Sequence, residues 1–369
     1  MYDYVIVGCG LFGITFSRFM TDHGKKCLII DKRNHIGGNC YTENIEGIHV
    51  HKYGPHIFHT NDDGIWDWVN KFSSFNHFRY NPKVHYKGKL YDFPINLFSL
   101  YQVWGVKTPE EARQKLNEVK ISNKNPSNLE EYILSQVGEE IYNIFIKGYT
   151  TKQWMRNPKE LPTFIIKRLP IRLTFDNNYY FDKYQGIPVG GYTKMMENML
   201  RGIEVKKNVD YFENKEYWNS ISKRIIFTGS IDQFFDYRFG ELEYRTLIFE
   251  EEFLNISDYQ GCAGINYSDI EIPYTRIIEH KHFEFGTQQH TIITREYPDV
   301  YSKNKIPYYP INDDKNNTMY KKYKELASQE KKILFGGRLS DYQYYDMHQI
   351  IGSALVKAKM ELNKISQNA

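Results

Sequence analysis

The chain has 369 residues, a net charge of +3 and four cysteines that form no C-x-x-C pair. This length predicts two or three domains rather than a small domain held by cross-links. The scattered cysteines argue against structural zinc or a disulfide framework, and the small net charge against a nucleic-acid partner. Because no leader-like segment or long apolar run is visible, we expect a cytoplasmic protein that does not cross a membrane.

The first elements predict a dinucleotide-binding unit. Residues 4–7 are typical of a buried strand and residues 12–21 of the helix behind it, so Gly8, Gly10 and Gly13 fall in the turn between them. In a G-x-G-x-x-G turn the first glycine allows a tight bend, the second lets the backbone approach a pyrophosphate, and the third lets helix and strand pack closely. The start of the helix then faces the anion.

Two further features favour FAD as the dinucleotide. The second predicted strand, residues 26–30, ends at Asp31, whose carboxylate can accept hydrogen bonds from both ribose hydroxyls. Late in the chain, a strand at residues 332–335 leads into a second glycine turn and then Arg338, which could face a pyrophosphate. FAD is extended and usually needs a late segment to close over its isoalloxazine end, whereas a nicotinamide does not.

The middle of the chain predicts an insertion and a second sheet. Helices are expected at residues 97–104, 109–119 and 129–147, with Thr108 and Ser127 as N-caps that each have Glu three residues later. Residues 83–91, 246–254 and 274–295 alternate polar and apolar side chains, which favours antiparallel strands. Strand and helix alternation returns after residue 191 and continues to the C-terminal helix.

The predicted fold is therefore α/β, with a discontinuous Rossmann-like FAD-binding domain, a helical insertion and an antiparallel sheet that carries the substrate. The expected domains are residues 1–75, 188–240 and 311–369 for FAD, 96–160 for the helices, and 76–95, 161–187 and 241–310 for the sheet. Residues 175–185, rich in Tyr and Asp and followed by Gly186, are typical of a mobile lid.

Four segments carry a resemblance to a known family. They are Asp-Lys-Arg-Asn-His-Ile-Gly-Gly-Asn at 31–39, Tyr-Gly-Pro-His-Ile-Phe-His-Thr at 53–60, Tyr-Gln-Gly-Ile-Pro at 184–188 and Gly-Gly-Arg-Leu at 336–339. Over essentially its whole length the chain resembles bacterial UDP-galactopyranose mutases. The resemblance implies an isomerase that interconverts UDP-galactopyranose and UDP-galactofuranose for cell-surface polysaccharides. It also implies a homodimer and FAD that is active when reduced, through an N5 adduct of the sugar and without net redox change.

The resemblance also implies roles for individual residues. Arg172 and Arg276 would hold the diphosphate, because guanidinium forks suit phosphate oxygens, and together with His59 beside the flavin they form the catalytic set. The substrate set implied is Asn81, Phe145, Tyr149, Trp154, Arg172, Tyr184, Arg276, Tyr309, Tyr344 and Asp346. The cofactor set is Gly8, Gly10, Leu11, Phe12, Gly13, Asp31, Lys32, Gly38, Asn39, His56, His59, Arg338, Tyr344, Asp346 and Met347.

Alternatives remain for individual residues and for the function as a whole. Phe145 and Tyr149, four residues apart, have a spacing that is also typical of core packing. His56 and His59 resemble a metal pair, but we see no third ligand in the sequence and expect no metal. The rival functions are a flavin oxidoreductase of the amine-oxidase type, for which we see no NAD(P)H site or amine cage, and a non-catalytic flavin sensor, which would not need the two arginines. The range of sugars beyond galactose stays open.

Overall fold

Two large sheets and a group of helices make up the chain in a computed structural model that describes residues 1–166 and 171–367. Its strands are β1 (Tyr2–Val7), β2 (Cys27–Asp31), β3 (Thr42–Ile45), β4 (Ile48–His51), β5 (Phe58–Thr60), β6 (Lys83–Tyr86), β7 (Lys89–Asp92), β8 (Tyr184–Gly186), β9 (Glu204–Lys207), β10 (Ser222–Phe227), β11 (Tyr244–Leu254), β12 (Gly264–Tyr267), β13 (Arg276–Glu279), β14 (Thr291–Val300), β15 (Tyr309–Pro310) and β16 (Ile333–Phe335). Its helices are α1 (Leu11–Asp22), α2 (Asp63–Asn70), α3 (Leu97–Trp104), α4 (Pro109–Val119), α5 (Leu129–Tyr142), α6 (Gly148–Trp154), α7 (Gly191–Met199), α8 (Lys215–Ser220), α9 (Ile231–Phe234), α10 (Asp314–Gln329) and α11 (Met347–Gln367).

The first large sheet is parallel and has the strand order β16-β10-β1-β2-β9. Its central strands read as nearly continuous apolar runs, and Ile6 and Ile29 are fully buried, as in strands covered on both faces. Helix α1 lies against this sheet and packs on α11 from the far end of the chain. The predicted α/β class is therefore confirmed, whereas the predicted domain boundaries remain predictions.

The second large sheet has the order β15-β11-β14-β13-β12-β6-β7 and is antiparallel except for the pairing of β12 with β6. The single strand predicted at residues 83–91 is wrong, because Lys87 and Gly88 both take positive φ and turn the chain into the hairpin β6-β7. The tract 274–295 is likewise two strands, separated by the 3₁₀ turn His280–Glu284. Because polar and apolar residues keep alternating through such turns, the sequence pattern alone does not reveal where one strand ends and the next begins.

The helical insertion runs from α3 to α6. Helices α3 and α4 have the predicted bounds, and Thr108 forms a reciprocal cap with Glu111. Ser127 is not the cap of α5, because the Asn128 side chain accepts the amide hydrogen of Glu131 at 2.9 Å. The helix predicted at 129–147 is broken at Gly138, where φ is 74°, and a Cβ there would lie 2.6 Å from the Val119 carbonyl oxygen. Close packing against the end of α4 therefore requires glycine at this break.

A short antiparallel pair joins distant parts of the chain. Strand β5 pairs with β8 in the register Phe58↔Gly186, His59↔Gln185 and Thr60↔Tyr184. The residues just before β8 thus lie beside the strand that carries His59. None of the helices within the described ranges is long and apolar enough to cross a membrane.

Candidate active site

The two N-terminal glycine turns lie side by side, beyond the carboxyl ends of β1 and β2 in the parallel sheet. Gly8 has a φ of +110°, and a Cβ at Gly13 would come 2.1 Å from the Gly8 carbonyl oxygen, so α1 packs directly on the turn. The amide of Gly37 donates to the carbonyl oxygen of Cys9 at 2.7 Å. A Cβ at Gly10, in contrast, would meet nothing within 4 Å. The turn therefore leaves open space beside the start of α1, where a phosphate could approach the backbone.

Two arginines stand near these turns. Arg33 donates to the Asn39 side-chain oxygen at 2.9 Å, while its Nη1 is buried without a hydrogen-bond partner among the described residues. Arg338 donates to the carbonyl oxygens of Tyr308 at 2.5 Å and Pro307 at 2.8 Å. Burial lowers the pKa of Arg338, and the charge of Arg33 acts in the same direction. An unpaired buried guanidinium nitrogen next to a second cation is suited to an anion.

The sequence analysis did not select Arg33. The signal that could have identified it is its place two residues after Asp31, between the acidic residue and the Gly37-Gly38 pair.

Asp31 is occupied by the backbone. Its Oδ2 accepts from the Cys9 amide at 2.6 Å and its Oδ1 from the Arg33 amide at 2.8 Å. Each carboxylate oxygen can accept a further hydrogen bond, so a contact with ribose remains compatible with this geometry. The neighbouring Lys32 is exposed.

The remaining predicted cofactor residues are mainly buried. Leu11 and Phe12 begin α1 in the core, and a Cβ at Gly336 would lie 2.3 Å from the Phe12 ring, so the C-terminal glycine turn packs directly on α1. Burial lowers the pKa of His56 to about 4, which leaves its ring neutral at pH 7. Met347 opens α11 and is buried.

His59 lies among aromatic and acidic side chains. Its Nδ1 is 2.7 Å from Asp182 Oδ2, and its ring stacks on Tyr180 with the ring centroids 3.8 Å apart. The His348 ring makes a T-shaped contact at a centroid distance of 5.0 Å. His59, Asp346 and His348 bring possible metal-ligating atoms within 4.8 Å of one another. The sequence analysis saw no third ligand, whereas the fold brings Asp346 and His348 close to His59. The expectation of no metal stays a prediction.

Arg276 is held by three other elements. Its Nε donates to the Asn266 side-chain oxygen at 3.0 Å, its Nη2 donates to the Tyr149 hydroxyl oxygen at 2.9 Å, and Glu296 Oε2 lies 3.8 Å from Nε. Burial opposes the charge, but the Glu296 carboxylate together with Tyr149, Tyr80 and Tyr309 outweighs it, so the pKa of Arg276 lies well above its usual range. The guanidinium is thus charged and fixed in place.

A cavity of about 310 Å³ opens next to Tyr309, a neighbour of Arg276, although Arg276 itself does not line it. Its lining includes Trp154 at the end of α6, Tyr309 and Tyr344, whose rings stack at 5.7 Å, and two arginines, Arg156 and Arg245. Arg245 is 8% exposed, its Nε has no hydrogen-bond partner within the described part of the chain, and burial together with the charge of Arg156 lowers its pKa. The lining also includes the carboxylate of Asp313, so two arginines against one acidic group leave it suited to an anion. Both arginines were missed by the sequence analysis.

Arg172 uses its guanidinium within its own segment. It donates to the carbonyl oxygens of Asp176 at 3.4 Å, Asn178, and Tyr179 at 3.3 Å, and it lies over the Phe181 ring at 3.6 Å. It is 6% exposed. Leu169 and Pro170, which precede it, lie outside the described residues, as do residues 368 and 369 at the end of the predicted FAD domain.

Three predicted substrate residues, Phe145, Asn81 and Tyr184, do not line the cavity. Phe145 is 3% exposed and stacks on Phe93 at 6.3 Å, within the core of the insertion. Asn81 is half-buried, and its Oδ1 has no partner in the described ranges. Tyr184 stacks on Trp66 at 4.8 Å and donates to a carboxylate of α2.

The position of Tyr184 follows from the β5-β8 register. Neighbouring residues on a strand point to opposite faces, and Tyr184 pairs with Thr60 whereas His59 pairs with Gln185. The structure therefore does not bring Tyr184 to the side of His59. Tyr180, which was not predicted, takes that place.

The fold and these two sites are typical of an enzyme that uses a dinucleotide cofactor and acts on an anionic substrate. An open glycine turn at the edge of a parallel sheet, with arginines nearby, suits a dinucleotide cofactor, and the separate cleft lined by Arg and Tyr side chains suits an anionic substrate.

Comparisons with known proteins identify the family. The chain matches the family model "UDP-galactopyranose mutase" over residues 144–344 and "NAD(P)-binding Rossmann-like domain" over residues 6–72. It is 40% identical to a dTDP-fucopyranose mutase of Escherichia coli over 98% of each chain. It is 39% identical to a probable UDP-galactopyranose mutase of Klebsiella pneumoniae, over 99% of this chain and 96% of the relative.

A solved structure supports the fold. The chain is similar to a reduced UDP-galactopyranose mutase with a TM-score of 0.73 and 14% identity, over 98% of this chain and 96% of the other. The family model and the relatives that match over nearly the full length show that the chain belongs to the UDP-galactopyranose mutase family. It is thus an isomerase, and both rival functions are disfavoured.

Proposed function

We propose that this chain interconverts UDP-galactopyranose and UDP-galactofuranose, with FAD bound and active in its reduced form and without net redox change. The observation that carries the proposal is Arg276. Its charged guanidinium is fixed by Asn266, Tyr149 and Glu296. It lies near Tyr309, which stacks on Tyr344 in the wall of the cavity. A guanidinium fork matches the oxygens of a phosphate as well as those of a carboxylate, and the diphosphate is the anionic group of a UDP-sugar.

The residues around the glycine turns fit FAD. The open face of Gly10 and the start of α1 would receive the pyrophosphate, with Arg33 and Arg338 as its cations. Asp31 would accept from the ribose, and His56 and His59 would lie towards the isoalloxazine end. When bound and reduced, FAD supplies the nucleophile for the anomeric carbon of the sugar.

The side chains of the cleft have three tasks. Arg276 would bind the diphosphate and retain the departing UDP for reattachment, and Glu296 and the neighbouring tyrosines raise its pKa and keep it charged. Trp154, Tyr309 and Tyr344 would cover the nucleotide and exclude water. Arg172 would exchange its present backbone carbonyls for phosphate oxygens.

Product analysis tests this function. Purified protein with bound flavin is reduced once, incubated with UDP-galactose, and the nucleotide sugars are separated by chromatography. We expect UDP-galactofuranose to form over many turnovers after one reduction and not in the oxidised control. Stoichiometric consumption of the reductant would instead favour a flavin oxidoreductase, and a colourless protein that takes up no FAD would contradict the cofactor.

A second candidate substrate is dTDP-fucopyranose. It is favoured by the 40% identity to a mutase of that name. This nucleotide sugar differs in having a 5-methyl group on the base, no ribose 2′-hydroxyl and no hydroxyl at C6 of the sugar. Comparing kcat/KM for the two nucleotide sugars in one preparation decides between them, and we expect UDP-galactose to be the better substrate.

The family resemblance is the basis for three further parts of the proposal. They are a homodimer, a cytoplasmic location and supply of the product to cell-surface polysaccharide synthesis. Light scattering after size-exclusion chromatography tests the first of these, with a single species of twice the monomer mass as the expected result.

A further inference from the structure

We propose that Asp182 is a positioning residue that fixes the ring of His59 and couples it to the segment that holds Arg172. The inference rests on the proposed function, since it takes Arg172 as a ligand of the diphosphate and His59 as a neighbour of the flavin. Nothing in the sequence motifs selected Asp182.

The contact between His59 and Asp182 fixes both the orientation and the proton of the imidazole. Their Nδ1 and Oδ2 atoms are 2.7 Å apart, and their side chains are 10% and 19% exposed. An ionised carboxylate only accepts hydrogen bonds, so the proton must lie on Nδ1. When His59 is neutral, Nε2 is therefore the acceptor nitrogen. The stacked ring of Tyr180 at 3.8 Å prevents the imidazole from turning.

Asp182 is itself held in place. Its Oδ1 accepts from the Asn61 side-chain amide at 2.7 Å, and the Asn61 side-chain oxygen accepts from the Lys183 backbone amide at 2.9 Å. These contacts lie directly beside the paired strands β5 and β8. Because both carboxylate oxygens have partners, Asp182 cannot move without changing the surroundings of His59.

The same segment holds Arg172. The carbonyl oxygens that accept from its guanidinium belong to Asp176, Asn178 and Tyr179, and Tyr179 directly precedes the tyrosine that covers His59. Each N–H used on a carbonyl is withheld from a phosphate oxygen. The Nε of Arg172 has no partner among the described residues, whereas Nη1 and Nη2 are bound to the carbonyls. A diphosphate that engages Nη1 and Nη2 would therefore release this stretch of backbone, and the release would reach His59 through Tyr180 and Asp182.

The test uses Asp182→Ala, with Asp182→Asn as the conservative variant and Lys183→Ala as the matched control. Lys183 is the next residue, and its ammonium pairs with the exposed Asp63 on α2 rather than with His59. The first readout is the ¹⁵N spectrum of labelled histidines, in which the His59 signals are identified by their loss in His59→Gln. The second is the midpoint potential of the bound flavin with and without saturating UDP.

We expect the wild type and Lys183→Ala to show a protonated Nδ1 at His59 and a flavin potential that shifts when UDP binds. Asp182→Ala should lose the fixed Nδ1 proton and most of the UDP-induced shift, with kcat lower by about tenfold, as for the loss of one charge-assisted hydrogen bond. Asp182→Asn should restore the Nδ1 proton, because its amide oxygen can still accept.

Wild-type behaviour of Asp182→Ala in both readouts would overturn the proposal. If the midpoint potential of the flavin in the wild type does not change when UDP binds, the proposed coupling to Arg172 is wrong. Failure of the proposed function is a different result, namely a wild type that binds no flavin or does not convert UDP-galactose, and the histidine spectra still decide the role of Asp182 in that case.

Discussion

Arg276 and Tyr149 are joined by a hydrogen bond of 2.9 Å, which links β13 of the sheet to α6 of the helical insertion. The contact brings the two parts of the molecule together at the point where the diphosphate is proposed to bind. Both partners are therefore expected to matter for catalysis rather than for cofactor binding.

Replacing Arg276 should nearly abolish turnover. In Arg276→Ala a charge-assisted contact with the diphosphate is lost, which costs about 1.5 to 3 kcal/mol in binding and more if the contact strengthens in the transition state. Flavin content should not change. Arg295→Ala is the matched control, since Arg295 lies on the neighbouring strand and pairs with Glu252 at 2.7 Å. Comparable losses in both variants, measured by product chromatography and flavin absorbance, would show that Arg276 has no special role.

Gly10 and Gly13 should fail in different ways when changed to alanine. Gly10 has ordinary dihedral angles of −84° and 178° and free space at its Cβ position, so Gly10→Ala should fold normally but bind FAD weakly. In Gly13→Ala the new Cβ would meet the Gly8 carbonyl oxygen at 2.1 Å, which should cost roughly 1 to 3 kcal/mol of stability.

Thermal unfolding of the flavin-free proteins and FAD titration separate the two effects. If Gly10→Ala binds FAD as well as the wild type does, the predicted approach of the pyrophosphate to this turn is wrong.

Arg245 should contribute to substrate binding. It is buried at the cavity wall with an unpaired Nε, whereas Arg156 is exposed. We expect Arg245→Ala to raise KM by roughly tenfold, as for one lost charged hydrogen bond, and Arg156→Ala to have a smaller effect that salt removes. Steady-state kinetics at two ionic strengths measure both. Equal effects of the two variants would argue that the cavity acts only through its overall charge.

Glu279 should make the protein sensitive to acid. Burial raises its pKa, but the hydrogen bonds from His282, Thr291 and the amides of Tyr259 and Gln260 outweigh this effect and lower the pKa to about 2. A folded-state pKa below the ordinary value of 4.5 stabilises the protein above that pH. The contribution, about 3 kcal/mol, should then be lost as the pH falls from 4.5 towards 2.

Glu279→Gln tests this contribution by urea unfolding at pH 7 and at pH 4. The variant should be less stable than the wild type by about 3 kcal/mol at pH 7, with a smaller difference in acid. Glu252→Gln, at an exposed ion pair on the same sheet, should change little. A Glu279→Gln protein with unaltered stability would show that its hydrogen-bond partners do not favour the charged form.

Local signals predicted the helices of the insertion well and the strands less well. The cap formed by Thr108 and Glu111 fixes the start of α4 because both partners are close in sequence. The hairpin turn at Lys87 and the break at Gly138 were not predicted. The first leaves the polar and apolar alternation intact, and the second depends on packing against the end of α4.

In the candidate active site, too, features that depend on contacts between distant parts of the chain were not predicted. Glycine spacing predicted the turn at Gly8 because the requirement is local, but which face of β8 carries Tyr184 depends on pairing with β5. Asp182 and Arg245 resemble ordinary surface residues in the sequence. Their significance appears only when folding places Asp182 beside His59 and buries Arg245 in the cavity wall.

The parallel sheet takes β1 from the start of the chain and β16 from near its end, and α1 is covered by α11. On the ribosome, the N-terminal glycine turn therefore emerges long before the turn at Gly336 that packs on Phe12. A nascent chain that stops before β16 has an unpaired β10 edge and an uncovered α1. We therefore expect FAD, if bound as proposed, to be taken up only after β16 and α11 have been made, and a chain shortened at its C-terminus to be degraded more readily by proteases.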